Sequence, residues 1–198
     1  GEVNLQMGDS MAKTAEVLCK GFALTIDYGY EATDLYSPKR AGGTVQTHYR
    51  HTAGASLYQR IGMQDITAHV DFTSLISEGA EHGLRPVGLC TQAQFLRDLG
   101  LERWLNFLRA EDLAQREREA NLMAMRDLAR PGGLGGFKVL VQEKGVGTSA
   151  LDRLLSSESS PDEVGPPAEH LPVPLLRAEH MPLMEGRYPH AGWRWEGP

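Results

Sequence analysis

The sequence predicts an α/β fold, because stretches with helical periodicity alternate along the chain with short apolar runs. The run FALTID (Phe22–Asp27) is apolar on both parities, which is typical of a buried parallel strand with helices on both faces. RPVGLC and FKVLVQEKG are two further strand candidates. The predicted order is helix, strand, long loop, helix, strand, helices, strand. A length of 198 residues suits one domain with a tail.

The first two predicted helices have residues that favour helix ends. The helix in GDSMAKTAEVLCK has Asp9 or Ser10 as its N-cap and Gly21 just beyond its end, and its inward residues include Leu18 and Cys19. The helix in FTSLISEGAEH has apolar residues at helical spacing and ends before a glycine. Each apolar stripe predicts one buried face.

A third helical region runs from Thr91 to Arg130. Thr91 and Gln94 form the pattern of a capping box, Gly100 interrupts the region, and Pro-Gly-Gly ends it. The predicted inward positions of this region are Trp104, Leu105, Leu108, Leu113, Ala120 and Leu128.

Two stretches lack periodicity. Residues 30–64 are predicted to form a long loop, a type of segment that often carries function. Residues 146–198 are rich in Ser, Pro and acids at first, and are predicted to be a largely disordered tail after a domain of residues 1–145. The tail ends in GWRWEG, where tryptophans that dock on a surface and incidental aromatics are equal alternatives.

The charge and the cysteines exclude several classes of protein. A net charge of −6 argues against non-specific binding to nucleic acid or anionic membranes. No apolar run is long enough to span a membrane. Cys19 and Cys90 stand far apart in apolar runs, so we expect two buried thiols in a reducing compartment. The sequence does not indicate an oligomeric state.

The stretch DITAHVDF (Asp65–Phe72) alternates polar and apolar residues and then enters a helical pattern. Asp71 is predicted to be the N-cap of that helix, since a carboxylate accepts from the free N–H groups of the first turn. Capping does not explain Asp65, Thr67 or His69. A polar cluster that faces a substrate and a structural hydrogen-bond network are equal alternatives for these three residues.

Four blocks, LTIDYGY, GGTVQTHYRH, QDITAHVDFTSL and GLCTQAQFLRDLG, resemble in this order the carboxyl-terminal half of the MidA family. Its members are class I S-adenosylmethionine-dependent methyltransferases, and one of them is a mitochondrial complex I assembly enzyme that methylates an arginine. The resemblance covers residues 2–145. It implies the carboxyl-terminal half of a Rossmann-like sheet of order 3-2-1-4-5-7-6, in which the three predicted strands are strands five, six and seven. Strand seven would be antiparallel to the others, and the helices from Thr91 to Arg130 would form an insertion.

The resemblance also implies a function. It implies protein arginine N-methylation with S-adenosyl-L-methionine as cofactor and a protein substrate, a complex I subunit being one candidate. The location would be the bacterial cytoplasm or the mitochondrial matrix. The family's cofactor-binding parts would precede Gly1, so we expect a fragment that is inactive by itself and folds marginally. A non-catalytic assembly factor is the alternative.

Glycines near the end of the helical region do not supply the missing cofactor motif. The stretch GGLGGF at 132–137 precedes a strand, whereas a dinucleotide-type loop follows one. The sequence therefore leaves the cofactor-binding residues of this chain unknown.

The candidate site residues come from the strand ends and the loop. A carboxylate at Asp27 can orient a guanidinium by paired hydrogen bonds, and capping of a turn is the equal alternative. His51 is a candidate general base or, as an alternative, a hydrogen-bonded loop histidine. No metal site is predicted, because the spacing of His and Asp matches no known site type. The predicted catalytic residues are Asp27, His51 and His69, and the predicted substrate-binding residues are Tyr28, Thr44, Asp65 and Thr67.

Overall fold

The structure is a computed structural model that describes residues 1–50, 52–54, 56–146 and Leu175. The described chain forms two compact units, one of residues 1–92 with 136–146 and one of residues 93–135. The predicted tail therefore lies outside the described residues, except for Val146 and Leu175. No described helix is both long and apolar enough to cross a membrane.

The elements alternate as an α/β fold requires. The helices are α1 (Met7–Val17), α2 (Ala32–Leu35), α3 (Phe72–Glu81), α4 (Gln92–Asp98), α5 (Leu101–Ala110) and α6 (Gln115–Leu128), with 3₁₀ turns at Pro38–Arg40 and Leu134–Gly136. The strands are β1 (Gly21–Asp27), β2 (Gly29–Tyr30), β3 (Gln46–Tyr49), β4 (Thr52–Gly54), β5 (Asp65–Thr67), β6 (Val70–Asp71), β7 (Arg85–Thr91) and β8 (Lys138–Lys144).

The main sheet has the order β1-β8-β7, and β8 is antiparallel to both neighbours. This order and direction confirm the prediction for the three strands relative to one another. Their numbering within a larger sheet stays a prediction. The core lies where Leu140 of β8 meets α1 and α3, through Met11 of α1 and through Phe72 and Leu75 of α3.

Within the described residues β1 is an edge strand and is not buried on both faces, so a buried parallel strand stays a prediction for a larger sheet. β1 pairs antiparallel with β8, and the described residues provide no strand on its other side. Leu24 and Ile26 are two positions apart and so lie on the same face of β1, where they are 50% and 46% exposed. The missing neighbour leaves the backbone groups of one edge of β1 unpaired among the described residues.

The start of α1 and the cysteines also differ from the prediction. The N-cap is Gln6, whose N–H donates to Asn4 Oδ1 (3.0 Å), so the helix begins before Asp9 and Ser10. Burial of Met7 on the core face accounts for this earlier start. Gly21 begins β1 instead of ending the helix.

Neither cysteine is a buried thiol. Cys19 is exposed and Cys90 is half-buried. Cys19 lies beyond the last residue of α1, so the helical spacing that predicted its burial does not extend to it.

The predicted long loop contains regular structure. Its second half forms β3 and β4, which join β5 in a small sheet of order β4-β3-β5. The stretch Asp65–Phe72 is therefore divided: β5 pairs with β3, whereas β6 pairs in parallel with β2. Ala68 and His69 lie between these strands and belong to neither sheet.

The unit of residues 93–135 is helical. Gly100 has a φ of +84° and separates α4 from α5, as the sequence predicts. The predicted inward residues Leu105, Leu108, Leu113 and Ala120 are buried. Leu128 is 44% exposed because it is the last residue of α6, so its prediction was wrong.

Candidate functional site

The candidate site lies where β1 ends and the short β2–β6 pair begins. Gly29 of β2 is opposite Val70 of β6, and a Cβ on Gly29 would collide with the backbone of Val70 and the ring of Phe72. Only glycine allows this close approach. The pair therefore brings Tyr28 and His69, which flank it, close together.

Aromatic side chains surround the His69 ring. The ring centroids of Tyr28 and Tyr30 lie 5.3 Å and 5.2 Å from that of His69. Phe137 contacts Tyr28 edge-on at 5.6 Å, and the Arg40 guanidinium lies 3.7 Å from the centroid of Tyr30. We call these five residues, Tyr28, Tyr30, Arg40, His69 and Phe137, the His69 cluster.

His69 has the electrostatics of a neutral imidazole. Burial lowers its pKa below the ordinary value, and the positive charge of Arg40 lowers it further, against the opposing charges of Glu2 and Asp27. Its Nδ1 atom is buried and has no hydrogen-bond partner among the described residues. An unpaired buried ring nitrogen is costly unless a ligand supplies the partner, so this atom marks where a polar ligand group could bind.

Glu2 binds the loop beside His69. Its Oε1 accepts from the backbone N–H groups of Thr44 (2.9 Å) and Val45 (3.2 Å). Burial favours the neutral acid, but these N–H donors outweigh it, so the pKa of the Glu2 carboxyl lies below its ordinary value. Thr44 Oγ1 in turn accepts from the backbone N–H of His69 (3.0 Å). The segment before α1 is thereby joined to the residue at the centre of the cluster.

A cavity of about 330 Å³ adjoins these groups. Its wall combines apolar side chains with Glu2, Tyr36, His69 and Asp71. The Tyr36 hydroxyl donates to the backbone oxygen of Glu2 (3.2 Å), and burial together with the Asp71 carboxylate raises the pKa of Tyr36. The cavity therefore has negative groups and a neutral imidazole at its surface, which favours a cationic or N–H-donating ligand group.

Asp71 has the predicted capping role. Its Oδ1 accepts from the backbone N–H groups of Thr73 (3.0 Å) and Ser74 (3.2 Å) at the start of α3. The Ser74 hydroxyl donates to its other carboxylate oxygen at 2.8 Å. The prediction of Asp71 as N-cap is confirmed.

The structure brings some of the predicted site residues together. Tyr28 and Thr44 each contact His69, and the charge of Asp27 reaches the same imidazole. Asp27 Oδ1 also accepts from the N–H of Tyr28 (2.8 Å), so the turn-capping contact is present as well.

Other predicted site residues lie elsewhere. Asp65 and Thr67 belong to β5, opposite His48 and Gln46 of β3, and neither is hydrogen-bonded to the His69 cluster in the described chain. Asp65 is exposed there. His51 lies outside the described residues.

Sequence reasoning missed Glu2, Tyr30, Tyr36 and Arg40. Glu2 and Thr44 are 42 positions apart, so no local pattern could indicate their contact. The acid in the starting segment GEVNLQM and the second tyrosine of DYGY are the sequence signals that point toward them.

The glycine-rich stretch at 132–137 does not fit a cofactor loop in its described form. A 3₁₀ turn at Leu134–Gly136 leads into β8, so no helix N-terminus follows a strand there. A Cβ on Gly135 would collide with the backbone of Ala129, which explains this glycine by packing. Among the described residues no group of three or more His, Cys, Asp and Glu could hold a metal ion.

Comparisons with known proteins point to one kind of chemistry. Residues 1–90 match the family described as "Putative S-adenosyl-L-methionine-dependent methyltransferase". A COG1565 superfamily protein from Burkholderia thailandensis is similar with a TM-score of 0.65 and 30% identity, over 71% of this chain and 37% of that chain. A COG1565 superfamily member from the same organism, solved with S-adenosyl-homocysteine bound, has a TM-score of 0.62 and 29% identity over 71% and 36%.

These matches support an S-adenosylmethionine-dependent methyltransferase family. That family uses S-adenosyl-L-methionine, and its demethylated product occupies one of the similar structures. The mixed α/β architecture of this chain agrees with the COG1565 structures. The chain spans little more than a third of the length of those solved proteins. No curated protein matches the sequence.

Proposed function

We propose that this chain is the substrate-side part of an S-adenosylmethionine-dependent methyltransferase that N-methylates a protein arginine. The observation that carries the proposal is His69: a half-buried imidazole whose buried Nδ1 has no partner among the described residues, at the end of β1, in a chain similar to a protein solved with S-adenosyl-homocysteine bound. The proposal has three more specific parts. They are membership of the MidA family, a complex I subunit as substrate, and a location in the bacterial cytoplasm or the mitochondrial matrix.

The chemistry that we assign to this chain concerns the acceptor nitrogen. S-adenosyl-L-methionine supplies an electrophilic methyl group when it is bound. The negative groups Glu2, Asp27 and Asp71 favour a cationic guanidinium near the cavity. His69 Nδ1 accepts the proton that the guanidinium nitrogen loses as it becomes methylated, because a neutral imidazole is the correct form of a general base. These residues orient the substrate and remove one proton.

The open edge of β1 supports a place within a larger sheet. Leu24 and Ile26 are half-exposed on this strand, and similar proteins are nearly three times as long as the shared part. We assign β1, β7 and β8 as strands five, six and seven of the methyltransferase sheet. Cofactor-binding residues would then lie on strands outside the described residues, and the described part alone would be inactive.

The test uses the full-length protein. Isothermal titration with S-adenosyl-L-methionine should detect binding, and transfer of a labelled methyl group should yield methylarginine by mass spectrometry. His69→Gln should lower kcat by about 100-fold or more, since general bases contribute about 10²–10⁴-fold. His82→Gln, at the exposed end of α3, is the matched control. Absence of cofactor binding, or an unchanged rate in His69→Gln, would contradict the proposal.

A second candidate is a non-catalytic protein-binding module. The observation that favours it is a run of exposed apolar side chains from the segment after β4 into β5, with Arg60 placed over the ring of Tyr49 at 4.4 Å. Patches of this kind commonly mark protein interfaces. The exposed members are Leu57, Tyr58, Ile61, Met63 and Ile66.

Binding of S-adenosyl-L-methionine and the effect of two surface substitutions distinguish the two candidates. If the full-length protein binds no S-adenosyl-L-methionine but Ile61→Ser with Met63→Ser abolishes its association with a purified partner, the binding module is correct. If those substitutions leave cofactor binding and methyl transfer to free arginine derivatives intact, the catalytic proposal stands.

A further inference from the structure

Glu2 and Thr44 form a connected unit with His69. Glu2 Oε1 is bound by two backbone N–H groups of the loop, and Glu2 Oε2 lies 3.4 Å from the Thr44 hydroxyl. The same hydroxyl accepts from the backbone N–H of His69 at 3.0 Å. One hydroxyl thus directs its proton toward a carboxylate and a lone pair toward His69, an arrangement for which threonine and serine are suited.

The turn before Thr44 is shaped around the carboxylate. Gly43 has a φ of +81°, a conformation that favours glycine, and a Cβ there would collide with Glu2 Oε1. Thr44 is 9% exposed, so its hydroxyl is shielded from competing water. The backbone of residues 43–45 therefore forms a shaped site for the carboxylate of Glu2, a residue that is itself half-buried.

His69 needs this support because of its position in the chain. It lies between β5 and β6, outside both ladders, so sheet pairing does not fix its backbone. The Thr44 hydroxyl supplies the partner for its N–H group. The ring is then packed between Tyr28 and Tyr30 with its Nδ1 unpaired.

We propose that Glu2 and Thr44 are positioning residues that hold His69 in the orientation needed to accept a proton, an inference that rests on the proposed function. Glu2 acts through its hydrogen bonds to the 44–45 backbone, and Thr44 acts through its hydroxyl. The sequence predicted that Thr44 binds substrate. We instead assign its hydroxyl to His69, because it is already hydrogen-bonded to Glu2 and to the backbone of His69. A misplacement of the base by about 1 Å can cost about 100-fold in rate.

The test compares Thr44→Val, which keeps the shape and removes the hydroxyl, with Thr44→Ser, which restores the hydroxyl. In the 198-residue chain, nitrogen-detected NMR titration follows the imidazole of His69, assigned with His69→Gln. Thr44→Val should move the His69 titration midpoint upward, toward the ordinary imidazole value, as the ring becomes better hydrated. Thr44→Ser should titrate like the parent chain. Thr14→Val, which removes a hydroxyl bonded to Ser10 O within α1, is the matched control.

Activity gives an independent second readout. In the full-length protein, Thr44→Val and Glu2→Ala should lower kcat by about tenfold or more with an unchanged KM for S-adenosyl-L-methionine, and Thr44→Ser should recover most of kcat. An unchanged His69 titration in a folded Thr44→Val chain overturns the positioning role. If the titration moves but no variant, nor the parent protein, transfers a methyl group, the proposed function fails and the positioning of His69 stands.

Discussion

β8 and β1 are neighbouring strands of seven residues in one sheet, yet the strand with fewer apolar side chains, β8, is the more buried of the two. β1 has four apolar side chains, and none of its residues is fully buried. β8 has three, with Gln142 and Glu143 beside them, and its residues from Val139 to Glu143 are all buried. The position of a strand in the sheet thus decides its burial more than its hydrophobicity does.

The polar residues of β8 are stabilised where they are buried. Gln142 Nε2 donates to Leu84 O at 3.3 Å, and Glu143 forms an ion pair with Arg85 and accepts from the N–H of Val146 at 2.8 Å. Buried polar groups require such partners. Leu84 and Arg85 lie on the β7 side of β8, and Val146 follows β8 itself, whereas β1 has a neighbouring strand on one side only among the described residues.

The largest expected effect comes from truncating the central strand. Leu140→Ala should lower the free energy of unfolding by about 2–5 kcal/mol, because Leu140 is fully buried in the core. Leu24→Ala, the same change on β1, should cost less than about 1 kcal/mol, since half of that side chain is already exposed. Urea unfolding of both variants measures the difference. Equal losses would show that β1 is as buried as β8.

The next effect tests why β8 lies so close to α3. A Cβ on Gly79 would collide with the Gln142 amide, so Gly79→Ala should cost about 1–3 kcal/mol in spite of a better helix propensity. Gly88→Ala on β7, where a Cβ meets nothing within 4 Å, is the matched control. Thermal unfolding by circular dichroism compares them. A more stable Gly79→Ala would mean that Gln142 moves aside without loss.

A smaller effect concerns pH at the end of β1. Because the folded pKa of His69 is lowered, the unfolded chain takes up the proton first, and the free energy of unfolding falls as the pH is lowered through about 6.5. Burial of His69 is the main cause of its lowered pKa and hence of this loss, the positive charge of Arg40 adds to it, and Glu2 and Asp27 oppose it. His69→Gln should remove the dependence in urea titrations between pH 7 and pH 5.5, and His82→Gln should keep it.

The Glu2 carboxyl acts in a separate pH window. Its folded pKa is lowered from 4.5, so its contribution is present above that value and is lost as the pH falls through the folded pKa. A pH dependence in His69→Gln that still begins near 6.5 would contradict the role assigned to the imidazole.

The smallest expected effect is on the open face of β1. Leu24→Lys should change the free energy of unfolding of this chain by no more than about 0.5 kcal/mol, because the longer side chain can extend from a half-exposed position. In a full-length protein where β1 gains a second neighbour, the same change should be clearly destabilising. Equal effects in both proteins would argue against the assignment of β1 as an interior strand.

Local chemistry was the predictable part of the fold. The N-cap at Asp71, the break at Gly100 and the apolar stripe of α3 depend on residues a few positions apart, and the structure has them. The order of the three main strands followed from the resemblance and is also present. The open edge of β1 followed from the resemblance, in which its second neighbour precedes Gly1, and not from the residues of the strand itself.

The candidate site was predictable only in part. His69 and Tyr28 were marked by their types and by strand ends, but the division of DITAHVDF between two small sheets depends on β2 and β3, which are distant in sequence. The Glu2–Thr44 contact spans 42 positions and leaves no periodic signal. Sequence patterns identify which residues are able to act, and tertiary pairing decides which of them meet.

Asp71 belongs to two structures at once, as the last residue of β6 opposite Tyr30 and as the N-cap of α3. Separation of β2 from β6 would therefore also release the amides of Thr73 and Ser74 from their carboxylate acceptor. The rate of hydrogen exchange at these two amides therefore measures how often β2 separates from β6. This measurement needs neither a substrate nor an activity assay.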